Sequence, residues 1–245
     1  MTEWPAVSIV ATFHNEGPLA INTLRTIEEA RAFAAREGIT TECVLVADLP
    51  CPATLQAVRA YKDDSSLPWR LHEVTCGDVG LTRNAGVVQA CGEFIATFDG
   101  DDYMSAGWIA LAWRQARQAI EPTVFHPEFV VTFGDVHGAH RQWGTDSPHF
   151  DRNMLVTANP WNSCAFARRE VFLAVPYAGT SNIGPGFGFE DWHWNCETLE
   201  RGYAHLVVSG SLHLVRRKST GSLSRSQSSE CALIPPTRLL GSCVS

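Results

Sequence analysis

Short apolar runs alternate with longer stretches of helical period through the first half of the chain. The apolar runs at residues 7–12, 43–47, 70–75 and 94–98 are predicted strands. The other stretches, at residues 18–36, 52–61, 81–90 and 105–119, are predicted helices, the last of them with Ser105 as its N-cap. This alternation predicts a parallel sheet with helices on its faces.

The second half of the chain has a less regular pattern. Trp, Gly, Pro and His residues are interleaved between residues 125 and 160, as expected for a region that shapes a cleft. Helices are predicted at residues 168–174 and 190–201, and an apolar run follows at residues 204–208. The Ser-rich residues 219–229 are predicted to form a mobile loop or a disordered segment.

Composition narrows the class of protein. With 245 residues, 45% of them hydrophobic, the chain can bury one sizeable core. The net charge of −7 argues against a nucleic-acid partner, because such binding depends on Lys and Arg neutralising phosphates. Eight cysteines without a Cys-x-x-Cys pair are expected to be reduced thiols. No stretch is long enough for an integral membrane segment and the N-terminal apolar run is too short for a signal peptide, so a cytoplasmic location is expected.

Three carboxylates follow the fourth predicted strand directly, in the sequence Asp99-Gly100-Asp101-Asp102. Two like charges about 4 Å apart repel by roughly 4 kcal/mol at an effective dielectric of about 20, so the cluster favours a bound cation. Ligands that are all oxygen favour Mg²⁺ or Mn²⁺. Gly100 lets the backbone turn, so that a diphosphate can approach the ion. A solvated turn with a helix-capping Asp explains the tetrapeptide alone equally well.

Residues 80–103, GLTRNAGVVQACGEFIATFDGDDY, contain an Asp-x-Asp-Asp sequence at the end of a predicted strand. They resemble the central motif of the family 2 glycosyltransferases with the GT-A fold, and three further motifs along the chain resemble others of that family. Residues 7–16, VSIVATFHNE, are similar to the family's first strand and donor-binding turn, and residues 189–192, FEDW, to its Glu-Asp motif. Residues 212–224, LHLVRRKSTGSLS, are similar to the basic, Ser-rich segment that often follows. The motifs stand in the family's order.

The resemblance implies an α/β fold, the GT-A-like nucleotide-diphospho-sugar transferase fold with a mixed, mainly parallel sheet flanked by helices. Residues 1–225 would form the GT-A domain, with a nucleotide-sugar-binding half at residues 1–103 and an acceptor-binding half at residues 104–225. Residues 226–245 would form a C-terminal tail.

The resemblance also implies inverting transfer of a sugar from a nucleotide-diphospho-sugar donor, a UDP- or GDP-sugar, to a hydroxyl of a glycan or another acceptor. Asp99 and Asp101 would hold a divalent metal, Mn²⁺ or Mg²⁺, against the donor diphosphate, with His213 as a third ligand or a core residue. Asp191 would take the proton from the acceptor hydroxyl, and Glu190 would orient the loop or the acceptor. Acids at these two positions also suit the positive end of a helix dipole.

Further residues are candidates for binding the substrates. Arg83 and Asn84 open a helix, where they would meet a phosphate or a donor hydroxyl, although Arg83 could instead pair with Asp78. The residues predicted to contact the donor are Thr12, His14, Glu16, Asp48, Arg83, Asn84, Asp99, Gly100 and Arg217. Trp192 and Trp161 are the candidates for acceptor binding, since Trp faces stack on sugar rings.

Several of these assignments have alternatives. Glu16 suits either a nucleoside contact or a cap on the following helix. Arg217 and its basic neighbours would either fold over the diphosphate, with residues 219–224 as a hinge, or form a solvated basic face. Of Trp192 and Trp194, helical spacing places one in the core, and the Gly-rich residues 184–188 beside them would close over a substrate.

Two other functions fit parts of the sequence. A Mg²⁺-dependent phosphatase or phosphotransferase would use an Asp-x-Asp as nucleophile and acid, although normally after the first strand rather than the fourth. A non-catalytic nucleotide-sugar binder would need no base at position 191. The preferred nucleobase is open, because Asp48 is followed by Leu-Pro-Cys-Pro where the family usually has two acids and a Gly-Ser turn. No Gly-x-Gly-x-x-Gly follows the first strand, so a dinucleotide cofactor is not indicated.

Overall fold

Strands and helices alternate through the first half of the chain, as its hydrophobic pattern predicts. The computed structural model describes residues 4–180, 186–219 and 223–241. The strands of the first half are β1 (Val7–Phe13), β2 (Thr41–Asp48), β3 (Trp69–Val74) and β4 (Phe94–Asp99). The helices are α1 (Ala20–Arg36), α2 (Pro52–Asp64) and α3 (Val79–Gln89). All four predicted strands are confirmed, and their ends move by at most two residues.

The second half is richer in strands than its sequence pattern predicts. Its strands within the described residues are β5 (Tyr103–Met104), β6 (Thr123–Gly134), β7 (Gly138–Arg141), β8 (Phe166–Arg168) and β9 (Ala204–Arg217). Its α-helices in the same described residues are α4 (Trp108–Ala116), α5 (Arg169–Ala174), α6 (Glu190–Glu200), α7 (Leu223–Ser229) and α8 (Arg238–Gly241). The predicted apolar run at residues 204–208 is therefore only the first part of a long strand, β9.

Both halves of the chain contribute to one sheet. The strand order is β3-β2-β1-β4-β8-β6-β9-β5, with β7 paired to β6. β1 is parallel to β2 and β4, and β6 is parallel to β9, whereas β8 is antiparallel to both β4 and β6. The sheet is thus mixed and mainly parallel in its first half, as the resemblance implies. Among the described residues, no helix has the length and apolar character that crossing a bilayer requires.

The sheet carries a separate hydrophobic layer on each face. Every side chain of β1 is buried, and successive residues of a strand point to opposite faces. Ile9 and Ala11 pack with Leu24 of α1 and Ile109 of α4 on one face. Val10 packs with α3, α5 and α6 on the other. Because helices cover both faces, a ligand meets the sheet at the carboxyl ends of its strands.

The predicted N-cap of α4 is wrong. The helix begins at Trp108, and Gly107 occupies the N-cap position. Ser105 lies two residues before that cap, and its hydroxyl accepts from the backbone N–H of Leu212 over 3.1 Å. The Ser105 side chain therefore joins this turn to β9 instead of capping α4.

The described part of the C-terminal tail packs on the rest of the chain. Residues 223–229 form α7, which corrects the prediction of a mobile or disordered segment there. Leu239 of α8 is buried in a cluster with Cys196 of α6. The Leu233 carbonyl accepts from the N–H of Gly188, so the tail also holds the loop before α6. Residues 220–222 of the predicted hinge and residues 184–185 of the predicted closing loop lie outside the described residues.

A stack of buried rings lies between β6, β9 and α6. The Trp161 ring stacks on His205 with centroids 4.2 Å apart and on His126 with centroids 5.2 Å apart. A hydrogen bond of 2.9 Å joins His126 Nε2 to His205 Nδ1, and His205 Nε2 lies 2.9 Å from Thr198 Oγ1. The Thr198 hydroxyl donates to the Trp194 carbonyl, so it accepts from His205. This arrangement suits two neutral histidines.

We expect acid to destabilise the fold through these two histidines. Burial lowers the pKa of His126 to about 3 and also lowers that of His205. An unfolded histidine titrates near about 6.5, so the unfolded state binds more protons below that pH. Stability is therefore lost as the pH falls from about 6.5 toward about 3. The expected loss at pH 5 from His126 alone is about 2 kcal/mol, to which His205 adds in the same direction, measured by urea unfolding at pH 5 and pH 7.

A matched pair of variants separates this effect from general acid sensitivity. His126→Gln should flatten the pH dependence, because it removes one of the two buried groups that resist protonation. His137→Gln changes an exposed histidine and should leave the pH dependence unchanged. Identical pH dependence in His126→Gln and in the unsubstituted protein would contradict the prediction.

Candidate active site

The acidic cluster occupies the turn at the carboxyl end of β4, beside the end of β1. Asp99 is the last residue of β4 and pairs in register with Thr12. A Cβ on Gly100 would lie 2.5 Å from the Phe13 ring and 2.6 Å from the Thr12 carbonyl oxygen. Any side chain at position 100 would therefore collide with β1. The Thr23 hydroxyl fixes the turn further by donating to the Gly100 carbonyl over 2.9 Å.

Asp99 is held by donors from three different parts of the chain. Its Oδ1 accepts from Arg83 Nη2 over 2.7 Å, and its Oδ2 accepts from the Ser163 hydroxyl over 2.7 Å. The Thr12 hydroxyl donates to Oδ1 over 3.4 Å. Burial by itself raises the pKa of Asp99, but the Arg83 charge and the Ser163 hydrogen bond outweigh it, and the pKa is lowered. Asp99 is therefore ionised at neutral pH.

Arg83 connects the acidic cluster with the Glu-Asp motif. Its side chain is 2% exposed, and its two terminal nitrogens lie 2.7 Å from Asp99 Oδ1 and 2.6 Å from Glu190 Oε1. The guanidinium carbon lies 5.3 Å from the centre of the Tyr177 ring. Arg83 thus pairs with Asp99 and Glu190. The alternative suggested by the sequence was a pair with Asp78. Glu190 in turn is held against Arg83, so its predicted role in orienting the acceptor stays a prediction.

Asp48 holds the turn that leads into α3. Its Oδ1 accepts from the N–H groups of Cys76 and Gly77 over 2.7 and 3.1 Å. Its Oδ2 accepts from the N–H of Asp78 over 3.2 Å and from the Thr82 hydroxyl over 2.8 Å. The carboxylate is buried and has four donors from the protein itself. Its predicted contact with the nucleoside stays a prediction, and the structure gives it a second role within the fold.

Other predicted donor residues also have partners within the protein. The Asn84 amide exchanges two hydrogen bonds of 2.9 Å with the backbone of Tyr177. His14 Nδ1 donates to the Asp48 carbonyl over 2.6 Å, and the Glu16 carboxylate accepts from the His14 N–H over 2.7 Å. Glu16 makes no side-chain cap on the following helix, so that alternative is wrong. Burial raises the pKa of Glu16.

Strand β9 and the residue that follows it supply partners for the rest of the acidic cluster. Lys218 Nζ lies 2.5 Å from Asp101 Oδ2. His213, 1% exposed, has Nε2 3.0 Å from Asp102 Oδ2, and its Nδ1 accepts from the Asn162 amide. His213 is therefore a buried partner of Asp102. Arg217 ends β9, and its contact with the donor stays a prediction.

The structure does not assemble the predicted metal ligands Asp99, Asp101 and His213 into one group. In the part of the chain that the structure describes, no three His, Cys, Asp or Glu side chains could together hold a metal ion. Mg²⁺ is commonly bound by one or two carboxylates together with waters and substrate phosphates. Asp99 and Asp101, whose side chains are 25% and 17% exposed, fit such a shared site. The carboxylates therefore suit a cation that the donor diphosphate also binds.

Asp191 lies in the first turn of α6, directly after the buried Glu190. Its Oδ1 accepts from the N–H of Trp192 over 2.8 Å, and its Oδ2 accepts from the Asn159 amide over 3.3 Å. Phe189, the N-cap residue, adopts a left-handed backbone conformation with φ of 55°. Burial, and then the charge of Glu190, raise the pKa of Asp191 to about 7. A carboxylate with this pKa suits general-base catalysis near neutral pH.

Two of the three tryptophans considered for this region are buried, which limits their access to an acceptor. Trp161 is 2% exposed and its ring is stacked among buried histidines, so the structure gives an acceptor no access to it. Trp194 is also buried, as expected for one member of its pair. Trp192 is partly buried, and its Nε1 donates to the Leu155 carbonyl over 3.1 Å. The acceptor contact of Trp192 stays a prediction.

One segment contributes site residues that the sequence pattern did not indicate. Three polar side chains from it contact predicted site residues: Asn159 at Asp191, Asn162 at His213 and Ser163 at Asp99. The only sequence signal was a run of turn-forming residues, Asn-Pro-Trp-Asn-Ser, at residues 159–163. Such a run predicts a loop but does not reveal what the loop contacts.

Residues 8–175 match glycosyl transferase family 2. The chain belongs to glycosyl transferase family 2. The match begins in β1 and ends just after α5, so it includes the acidic cluster and the segment at residues 159–163. The Glu190 and Asp191 pair lies beyond the matched region. No curated protein has a matching sequence.

Solved structures of other proteins share the fold of this family 2 chain. Staphylococcus aureus TarS 1–349 in complex with UDP-GlcNAc superposes with a TM-score of 0.65 at 18% identity, over 89% of this chain and 60% of that one. The mannosyltransferase PcManGT from Pyrobaculum calidifontis, with GDP-Man and Mn²⁺, gives 0.61 at 17% identity, over 98% and 69%. GalNAc-T7 with UDP, GalNAc and Mn²⁺ gives 0.65 at 17% identity, over 90% and 45%. The fold is the GT-A fold, and the chain spans about three fifths of TarS 1–349.

Proposed function

We propose that the protein is an inverting, metal-dependent glycosyltransferase that moves a sugar from a nucleoside diphosphate to an acceptor hydroxyl. The observation that carries this proposal is the Arg83 bridge between Asp99 and Glu190. It joins the acidic cluster, which suits a diphosphate and its cation, to the helix start that bears Asp191. A donor end and a general base in one connected unit are what a sugar transferase needs.

The similar proteins support a nucleoside diphosphate sugar as the donor. The TarS structure is a complex with UDP-GlcNAc. The PcManGT structure is a complex with GDP-Man and Mn²⁺. We infer a UDP- or GDP-sugar for this chain, and a glycan or another hydroxyl compound as the acceptor. A cytoplasmic location belongs to the same proposal and is supported by the free thiols of the seven cysteines within the described residues.

The chain's own residues account for a single displacement. The Asp191 carboxylate accepts the proton of the acceptor hydroxyl as the hydroxyl oxygen forms its bond to the anomeric carbon. The bond from that carbon to the diphosphate oxygen breaks, and the electron pair leaves with the nucleoside diphosphate. Attack opposite the leaving group inverts the configuration. Glu190, fixed by Arg83, keeps the start of α6 in place beside this reaction.

The acidic cluster would serve the leaving group. A divalent cation, when bound, supplies positive charge that stabilises the departing diphosphate. Asp101, with Asp99 beside it, would hold that cation. Lys218 neutralises Asp101 in the structure, so cation binding would free its ammonium group for the phosphates.

A Mg²⁺-dependent phosphatase fits the structure less well. Such an enzyme would need a carboxylate of the acidic cluster as a free nucleophile. Asp99 has Oδ1 bonded to Arg83 and Oδ2 bonded to Ser163. The acidic cluster also follows β4, whereas such phosphatases normally carry their Asp-x-Asp after the first strand, so its position argues against a phosphatase as well.

We expect a donor to raise the melting temperature only when a divalent cation is present. The measurement is a thermal-shift screen of UDP-, GDP-, CDP- and dTDP-sugars with and without Mn²⁺. A ligand at about 100 times its dissociation constant adds about 2.7 kcal/mol to the stability of the native state. Asp101→Asn should lose the Mn²⁺-dependent part of the shift, because it removes a carboxylate that would hold the cation.

The matched control for Asp101→Asn is Asp63→Asn. Asp63 is also paired with a lysine but lies on α2, where its side chain is exposed. This variant should keep the full Mn²⁺-dependent shift. If none of the four nucleotide sugars stabilises the unsubstituted protein with or without Mn²⁺, the transferase proposal is overturned.

A further inference from the structure

Asn159 bridges two residues of α6 that lie one turn apart. Asp191 and Asn195 are four residues apart, so their side chains share one face of the helix. Asn159 Nδ2 donates to Asp191 Oδ2 over 3.3 Å, and Asn195 Nδ2 donates to Asn159 Oδ1 over 3.0 Å. The side chain of Asn195 is buried, with 1% exposed. The three side chains form a continuous chain of hydrogen bonds that ends on the carboxylate.

The amide of Asn159 can take only one of its two orientations here. Its Oδ1 accepts from Asn195 Nδ2 and also from the backbone N–H of Trp161 over 3.4 Å. The backbone N–H of Trp161 can only donate, so it selects the oxygen of the Asn159 amide, and Asn195 donates to the same oxygen. The NH₂ group must then face Asp191. The segment that carries Asn159 is thereby set to donate to this carboxylate.

We propose that Asn159 is a positioning residue that fixes the Asp191 carboxylate and favours its ionised form. The Trp192 N–H holds Oδ1 and the Asn159 amide holds Oδ2, so neither oxygen is free to rotate away. An ionised carboxylate has about four acceptor sites, so two hydrogen bonds leave room for the proton of an acceptor hydroxyl. This inference rests on the proposed role of Asp191 as general base.

Charged groups from several elements face Asp191. Burial, Glu190 on α6 and Asp99 on β4 raise its pKa, while Arg83 on α3 and the Trp192 N–H lower it. Tyr177 also lies close enough for its own pKa to respond to the Asp191 charge. The groups that favour the ionised carboxylate are Arg83, the Trp192 N–H and the Asn159 amide. Loss of the Asn159 donor should therefore make Asp191 harder to ionise.

The test is direct titration of Asp191 in the whole chain, without donor or acceptor. Aspartate side chains labelled with ¹³C are followed by NMR across pH, and the Asp191 signal is assigned by its absence in Asp191→Asn. Asn159→Asp places a second carboxylate at the same point, so the Asp191 midpoint should rise by about one pH unit or more. Asn159→Ala only removes the donor and should raise the midpoint by less.

The control is Asn153→Asp, the same chemical change at an exposed position of the preceding helical turn. It should leave the Asp191 midpoint unchanged, because Asn153→Asp changes the net charge by the same amount without touching the hydrogen bond to Asp191. Unchanged midpoints in folded Asn159→Asp and Asn159→Ala would overturn the inference. Should Asn159→Asp fail to fold, the shift in Asn159→Ala decides the matter.

The inference and the proposed function can fail separately. If the Asn159 variants shift the midpoint but Asp191→Asn retains full sugar transfer, the hydrogen bond is real and the assignment of the base is wrong. If Asp191→Asn is inactive but the midpoint ignores Asn159, the base is correct and the positioning role is wrong. Once a donor is identified, the acid side of the pH profile of kcat should move with the NMR midpoint, while the donor KM stays unchanged.

Discussion

Replacing Asp191 with Asn should abolish sugar transfer while leaving the fold and the donor affinity intact. The amide has the same shape as the carboxylate but cannot accept the proton of the acceptor hydroxyl. A positioned general base contributes about 10²- to 10⁴-fold, so kcat should fall by at least about 100-fold. The measurement is the initial rate with the donor that the thermal-shift screen identifies, together with equilibrium binding of that donor.

The control for this prediction is Asp64→Asn, which changes an exposed aspartate at the end of α2. Its rate should equal that of the unsubstituted protein. A rate in Asp191→Asn within a few fold of the control would show that another group takes the proton. A large loss of donor affinity in Asp191→Asn would instead place this residue on the donor side of the site.

The environments of Asp99 and Asp191 suit the two acids to opposite roles in the proposed reaction. Arg83 and Ser163 lower the pKa of Asp99 against the effect of burial, so this carboxylate stays charged and can help to hold a cation. Burial and Glu190 raise the pKa of Asp191 to about 7, so this carboxylate can take up a proton near neutral pH. Acids with pKa values pushed apart are typical of sites that combine binding and proton transfer.

The first half of the fold could be predicted because its strands are short and continuously apolar. β1 and the last six residues of β2 are entirely buried, and each is followed by a helix with a clear apolar face. β6 was missed, and β9 was anticipated only as an apolar run at residues 204–208, for a physical reason. Pro127 and Glu128 interrupt the apolar pattern of β6 at a register shift, and Ser209, Gly210 and Ser211 interrupt the apolar pattern of β9. These strands are stabilised by pairing with each other, which a local pattern does not contain.

The site could be predicted in part, because its acids stand in short motifs. The partners of those acids could not be predicted, because they come from distant parts of the chain. Arg83 and Glu190 are 107 residues apart in sequence, and Asn159 and Asp191 are 32 apart. Trp161 shows the opposite limit, since a residue type that suits sugar binding is here buried in the core. His213, which the sequence left open between a metal ligand and a core residue, is buried beside Asp102.

Arg83→Met should produce the largest loss of stability of any single substitution in the site. The methionine fills a similar volume but leaves Asp99 and Glu190 without their shared cation. Removing one partner of a buried ion pair costs about 3–5 kcal/mol, because a charge then remains buried and unpaired. The measurement is the free energy of unfolding from urea titration at pH 7.

The matched control is Arg59→Met, which breaks an ion pair with Glu73 on the surface, where the arginine side chain is 54% exposed. An exposed pair contributes at most about 1 kcal/mol, so this variant should unfold close to the unsubstituted protein. Adding Glu190→Gln to Arg83→Met should restore part of the lost stability, because it removes one of the two unpaired charges. If Arg83→Met unfolds at the same urea concentration as Arg59→Met, the two acidic motifs are held together by packing rather than by this arginine.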